Sequence, residues 1–70
     1  MKQIKTMEDI AKIVKDERRR QRITQEDLAG IAGVSHRFII NIEKGKNSSP
    51  ISRVLGVLEC LGIKLFYGEN

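Results

Sequence analysis

The spacing of a few residues between positions 28 and 42 constrains this chain more than any other feature. Ala29 is followed four residues later by Gly33, six residues further by Ile39, and three further by Ile42. Two helices that cross closely need a small residue at the crossing, and a tight turn between them needs a residue that tolerates positive φ. Ile39 and Ile42 share one face of a helix. The pattern predicts two helices joined by a turn at Gly33.

Capping residues divide the remainder of the chain. Thr6, Thr24 and Ser35 each precede an apolar pattern with helical spacing, and each side chain can accept a hydrogen bond from the first turn. A fourth helix is predicted from about Pro50 to Leu61, with Ser49 as its N-cap. The apolar residues predicted to form the inner faces of the second and fourth helices are Leu28, Ile31, Ala32, Ile51, Val54, Leu55, Val57, Leu58 and Leu61.

These signals predict one all-α domain of four to five helices with a C-terminal β-strand. The expected parts are a flexible arm at residues 1–6, the helical domain at 7–62, and a strand and tail at 63–70. The strand is predicted because apolar residues alternate: Ile63, Leu65 and Tyr67 on one face, with Phe66 beside them. Because a lone strand has no partner in a helical protomer, it is predicted to pair with the same strand of a second chain.

Size also favours a dimer. A chain of 70 residues buries only about 60% of its unfolded surface, and such small domains usually need a further source of stability. The single cysteine excludes an internal disulfide, and His36 with Cys60 is too small a set for structural zinc. No metal or cofactor is therefore predicted, and oligomerisation is the remaining route.

Charge and composition narrow the class of function. Lys and Arg number 13 against 9 Asp and Glu, a net charge of +4, which favours a polyanionic partner. No apolar run approaches the roughly 20 residues of a membrane span, and no signal peptide is recognisable, so a cytoplasmic protein is expected. An enzyme is not expected, because there is one histidine, no Ser-His-Asp set and no glycine-rich phosphate loop.

Several motifs together resemble a known family. They are TQEDLA at residues 24–29, GVS at 33–35 and IEKGK at 42–46. In these segments the chain resembles Cro/C1-type helix-turn-helix repressors, whose domain is lambda repressor-like. Further segments resemble HipB-like antitoxins: RFI at 37–39, RVL at 53–55 and LECLGIKL at 58–65. The likeness covers about residues 7–67, and it implies a strand after the last helix that pairs across the dimer two-fold.

The resemblance implies which residues contact a palindromic double-stranded operator. The third helix enters the major groove by its N-terminal part in this motif, and phosphates are met by the second helix and by the loop after the third. The residues assigned to DNA binding are Gln25, Ser35, His36, Arg37, Asn41, Lys44 and Lys46. Arg37 is expected to hold guanine and Asn41 adenine, while Gln25, Lys44 and Lys46 meet the backbone. Glu43 is expected to be structural.

Some assignments stay open at this stage. Phe38 can either enter the core or meet thymine methyl groups. Arg18 and Arg19 are interpreted as solvated cations at a helix C-terminus, whereas Arg20 and Arg22 are left undecided between that role and phosphate binding. The resemblance implies a repressor that autoregulates a toxin-antitoxin operon and binds a HipA-like kinase toxin. The alternatives are a stand-alone phage-type repressor and a module that neutralises a toxin by protein contact.

Overall fold

The computed structural model describes residues 3–46 and 48–68 of the chain. Four helices follow one another: α1 (Met7–Arg20), α2 (Gln25–Ala32), α3 (His36–Glu43) and α4 (Ile51–Cys60). α3 packs against both α1 and α2, and α2 also packs against α4. The predicted all-α domain is thereby confirmed. None of the described helices combines the length and hydrophobicity that a membrane span requires.

Local capping chemistry fixes where the first three helices begin. Thr6 and Thr24 each accept a hydrogen bond from the backbone N–H three residues on, and Asp9 and Asp27 accept the reciprocal bonds. Ser35 Oγ accepts from the backbone N–H of Phe38 at 3.0 Å. These three N-caps are confirmed. The Asp9 carboxylate also accepts from the N–H of Lys5, which ties the end of the N-terminal arm to α1.

The predicted start of α4 is wrong by one residue. Pro50, not Ser49, is the N-cap, and no side chain caps this helix. The Pro50 carbonyl accepts from the N–H groups of Arg53 and Val54, both at 3.1 Å. Because Ser49 lies one position before the cap, it is not at the step from which a hydroxyl serves the first turn.

One cluster of buried side chains joins all four helices. Its members are Val14, Leu28, Ala29, Ile39, Ile42, Val54, Val57, Leu58 and Leu61. Ala29 is 5% exposed, as a residue at the predicted crossing of α2 and α3 should be. Phe38 is partly buried and packs against the cluster, which favours the core over the DNA surface for this side chain.

Three of the residues predicted to be buried are exposed instead. Ile31 is 62% exposed, Ile51 63% and Leu55 45%, and Cys60 is also exposed. The reason is geometric: on α4 the core-facing row is Val54, Val57, Leu58 and Leu61. Ile51 and Leu55 lie four apart on another face of the same helix. The spacing of apolar residues in the sequence does not distinguish the row that faces the core from a second apolar row that faces outward.

A glycine with positive φ follows both α2 and α3. Gly33 has φ of 69°, in the left-handed region, and caps α2, as predicted. Gly45 has φ of 75° and is buried against the start of α1. A Cβ placed on Gly45 would lie 3.4 Å from Glu8 Cα. Both turns therefore favour glycine, and the second also brings two helices together.

The C-terminal segment leaves the fold after α4 without forming a strand within the described part of the protomer. Ile63 packs against the protomer's own core, and its N–H donates to the Leu58 carbonyl at 2.9 Å. Leu65, Phe66 and Tyr67 are exposed, Phe66 by 89%. Strand pairing with a second chain stays a prediction, and Ile63 already has a place inside one protomer. Residues 1, 2, 69 and 70 of the predicted arm and tail lie outside the described residues.

Candidate nucleic-acid interface

The N-terminal turn of α3 places its polar side chains on the surface. Ser35, His36 and Arg37 are all exposed, and the Ser35 hydroxyl is engaged as the cap of the helix. A helix N-terminus presents backbone N–H groups and a partial positive charge, which together favour an anionic partner. Arg37 adds a full cation at the same end.

A buried ion pair fixes the other end of α3. Arg18 Nε donates to Glu43 Oε2 at 2.7 Å and Arg18 Nη2 donates to Glu43 Oε1 at 3.1 Å. The two side chains are only 12% and 4% exposed. Arg18 Nη1 also donates to the Ile23 carbonyl at 2.9 Å. Arg18 is therefore not the solvated cation that the sequence suggested, whereas the structural role predicted for Glu43 agrees with this geometry.

The Glu43 carboxylate is held in its charged form. Burial alone raises the pKa of this group. Hydrogen bonds donated by Arg18 and Gln25, with the positive charges of Arg18 and Lys15, outweigh that effect and bring the pKa below its ordinary value. An ionised carboxylate offers only acceptors, so every neighbour that contacts Glu43 must donate.

Gln25 connects this ion pair to the start of α3. Its Nε2 donates to Glu43 Oε1 at 3.2 Å, and its Oε1 lies 3.3 Å from His36 Nε2. The first residue of α2 thus touches both ends of α3 through one amide. The structure brings Gln25 and His36 together, as expected for two residues assigned to one surface, and Gln25 is half-buried there.

Asn41 does not present the face that its predicted role requires. Its Oδ1 is buried, with no hydrogen-bond partner among the described residues, and its backbone carbonyl accepts from the N–H of Lys46 at 3.1 Å. A bidentate contact with adenine needs both the oxygen and the nitrogen of the amide. Because the oxygen is buried, adenine reading would require the Asn41 side chain to turn outward.

A shallow groove beside α3 carries cations from two helices, and of these the sequence did not single out Lys15. Lys15, Arg19 and Lys44 line it together with the edge of Ile40. Lys44 and Lys46 are exposed, as predicted for phosphate contacts. Lys15 and Arg19 come from α1, and no sequence signal links them to α3, because only the packing of α1 on α3 brings the two helices side by side.

Arg20 and Arg22 differ in their surroundings. Arg20 forms an ion pair with Glu17 on the surface of α1. Hydrogen bonds from Arg20 and Gln21 lower the pKa of the Glu17 carboxyl to about 2. Arg22 is exposed, with φ of 60° in the turn that separates α1 from α2. Arg20 is therefore engaged within its own helix, and only Arg22 of the two lacks such an ion pair in the described structure.

Comparison with known proteins identifies the family of this fold. The helix-turn-helix family matches residues 14–67, which span the ion pair, the turn at Gly33 and all of α3. The chain belongs to the helix-turn-helix family. Among curated proteins, the HTH-type transcriptional regulator y4mF of Sinorhizobium fredii is 45% identical over 64 residues, covering 91% of this chain and 84% of y4mF.

Solved structures of other proteins have the same fold as this helix-turn-helix protein. A HipB-O1-O2 complex superposes with a TM-score of 0.89 over 99% of this chain and 100% of that chain. A HipA-HipB-O2-O3 complex gives 0.88 over 99% and 97%, and a HipB-O4 20mer complex gives 0.87 over the same shares. Sequence identity is 20% in all three cases, so the likeness concerns the fold.

Proposed function

We propose that this helix-turn-helix protein is a sequence-specific repressor that binds a palindromic operator as a homodimer. The observation that carries the proposal is the exposed N-terminal turn of α3, with His36 and Arg37 on its surface. The buried Arg18–Glu43 pair fixes the same helix to α1. A rigid helix with a polar N-terminal face suits insertion into the major groove. The cations of Lys15, Arg19, Lys44 and Lys46 would meet the adjacent phosphates.

The apolar surface supports the homodimer. It consists of the exposed residues Ile31, Ile51, Leu55, Leu65, Phe66 and Tyr67. Exposed large apolar side chains of this kind are typical of a surface that a protein partner covers. In a two-fold dimer, residues 63–67 of each chain would pair as strands. Two α3 helices would then lie about 34 Å apart, which fits half-sites one helical turn apart or a multiple of it.

A toxin-antitoxin role is the specific form of this proposal. The solved structures of similar fold include a HipB-O4 20mer complex and a HipA-HipB-O2-O3 complex. We propose that this chain represses its own operon and binds a HipA-like kinase toxin, that it is itself not an enzyme, and that it acts in the cytoplasm. The exposed Ile51 and Leu55 support the alternative of a module that works chiefly through protein contact. A stand-alone phage-type repressor remains the other alternative.

Salt dependence of DNA binding tests the proposed function. A dimer that neutralises about six to ten phosphates should lose roughly 10³ to 10⁵ in affinity between about 50 and 200 mM salt. Fluorescence anisotropy with a duplex from the promoter of its own operon, and with a scrambled duplex of equal length, gives the affinity and the specificity. A flat salt response with no preference for the promoter duplex would contradict operator binding and leave the protein-contact module as the better description.

A further inference from the structure

The hydrogen bonds that begin at Arg18 impose a direction on each group that follows. Arg18 only donates, so Glu43 must accept from it. Glu43 Oε1 also lies 3.2 Å from one end of the Gln25 amide. Because the ionised carboxylate cannot donate, that end must be the NH₂ group. The opposite amide orientation would place two oxygens in contact.

The orientation of Gln25 determines which nitrogen of His36 carries a proton. With its NH₂ group on Glu43, Gln25 presents Oε1 to His36 Nε2 at 3.3 Å. An amide oxygen only accepts, so Nε2 must carry hydrogen. In the neutral ring the other nitrogen, Nδ1, is then a lone-pair acceptor. No described residue forms a hydrogen bond with Nδ1, and His36 is exposed at the first position of α3.

We propose that His36 reads an exocyclic base amine, N6 of adenine or N4 of cytosine, through Nδ1, in a tautomer that Gln25 sets. The inference rests on the proposed function, because it assumes that the N-terminal turn of α3 faces base edges. Adenine and cytosine are the bases that display an amine donor in the major groove, whereas guanine displays two acceptors at N7 and O6.

The neighbouring residues His36 and Arg37 would prefer different bases. Arg37 has only donors and suits guanine, whereas the Nδ1 lone pair of His36 would face the lone pairs of guanine unfavourably. The groove beside α3 carries the cations Lys15, Arg19 and Lys44, whose side chains only donate. His36 thus supplies an acceptor on a surface rich in donors. Gln25 acts as a positioning residue that would also determine base preference without touching a base.

The tautomer can be measured without DNA. His36 is the only histidine of the chain, so a long-range ¹H–¹⁵N correlation spectrum of the full chain contains one imidazole. At about pH 8, where imidazole side chains are ordinarily neutral, we expect Nε2 to have the shift of a protonated nitrogen and Nδ1 that of an unprotonated one. Gln25→Ala should add a measurable population of the Nδ1–H form. Glu26→Ala, next to Gln25 but outside the hydrogen-bonded set, should leave the spectrum as in wild type.

Base analogues test the reading itself. The operator selected by the wild-type protein would be resynthesised with purine for adenine, or 2-pyrimidinone for cytosine, one position at a time. Each analogue removes only the exocyclic amine. At one position per half-site the wild type should lose about tenfold in affinity, the effect of one hydrogen bond, while His36→Ala should lose nothing further there. The base that responds tells adenine from cytosine.

The outcomes separate this inference from the proposed function. A predominant Nδ1–H tautomer in the wild type would overturn the inference even if the operator binds tightly. So would an operator in which no amine removal is coupled to His36, or in which 7-deazaguanine shows the coupling instead. Failure to bind any operator in the salt titration would overturn the proposed function itself, and this inference with it. The Nε2–H tautomer with one coupled amine position supports the proposal.

Discussion

At the scale of single residues, Glu43 is charged in a place where charge is costly. Its side chain is 4% exposed, yet hydrogen bonds from Arg18 and Gln25 keep its pKa below the ordinary value. Removing one partner of such a pair leaves the other charge buried and unpaired. Replacing either partner alone is therefore expected to be costly.

Acid should weaken the fold through Glu43. Its folded-state pKa is lowered, so its stabilisation is complete above the unfolded pKa, about 4.3, and is lost as the pH falls through the folded value. Glu43→Gln should cost up to about 3–5 kcal/mol at neutral pH, and the gap to wild type should narrow below about pH 4. Urea unfolding followed by circular dichroism at several pH values measures both effects. Glu26→Gln, at an exposed site, is the control. A gap that stays constant with pH would contradict this account.

Two substitutions should distinguish a residue that reads bases from one that binds phosphates. Arg37→Ala should cost about 1–3 kcal/mol and relax the preference at one base pair per half-site. Lys46→Ala should weaken binding evenly across sequences, because phosphates carry no sequence information. Selection from randomised operators shows the difference directly. Identical sequence preferences for wild type and Arg37→Ala would rule out base reading by Arg37.

At the scale of elements, Gly45 decides how closely the end of α3 approaches α1. Its φ of 75° lies in the left-handed region, and its Cα side faces the backbone of Glu8. Both features are local to one residue, yet they hold two helices together. The same region begins the loop that carries Lys46.

Gly45→Ala should lower the free energy of unfolding. The left-handed conformation costs an L-residue about 1–2 kcal/mol, and the added Cβ would lie in van der Waals contact with Glu8 Cα at 3.4 Å. Gly30→Ala is the matched control, because Gly30 lies within α2 with no atom within 4 Å of an added Cβ. Alanine there should be neutral or stabilising by roughly 0.5–1 kcal/mol. Equal thermal stability of the two variants would show that Gly45 is not strained by a side chain.

The elements also show how far sequence alone could go. Thr6, Thr24 and Ser35 were predictable as caps because each acts on a backbone group three residues away. The Arg18–Glu43 pair spans 25 positions, and no local spacing indicates it. The inward turn of Asn41 was equally hidden, since a side-chain rotamer depends on neighbours from other helices.

At the scale of the whole molecule, one protomer leaves a large apolar surface uncovered. Large apolar side chains are exposed although a chain of this size has a small hydrophobic core. They include Ile31, Leu55, Leu65 and Phe66. Each large apolar side chain that a partner covers contributes roughly 1.5–3 kcal/mol. A few of them on each side suffice to offset the loss of translational and rotational freedom, about 4–15 kcal/mol.

Leu65→Pro should abolish the dimer. Proline removes a backbone donor and the leucine side chain together, so residues 63–67 could not pair as strands. Leu65→Val, which keeps the donor and an apolar side chain, is the control and should remain dimeric. Analytical ultracentrifugation gives the mass, and circular dichroism reports whether the four helices persist. A Leu65→Pro protein that sediments as a dimer and binds the operator normally would refute strand pairing.

The buried Arg18–Glu43 pair affects how the DNA preference of this protein can change during evolution. It holds the C-terminal end of α3 through Glu43, while Arg37 lies exposed in the first turn of the same helix. The Arg37 side chain is not part of this hydrogen-bonded set, so it can be exchanged while the Arg18–Glu43 pair still holds the helix. Duplicated copies of such a gene could acquire separate operators through one or two surface substitutions, with stability unchanged, and two paralogues in one cell could soon regulate without cross-talk.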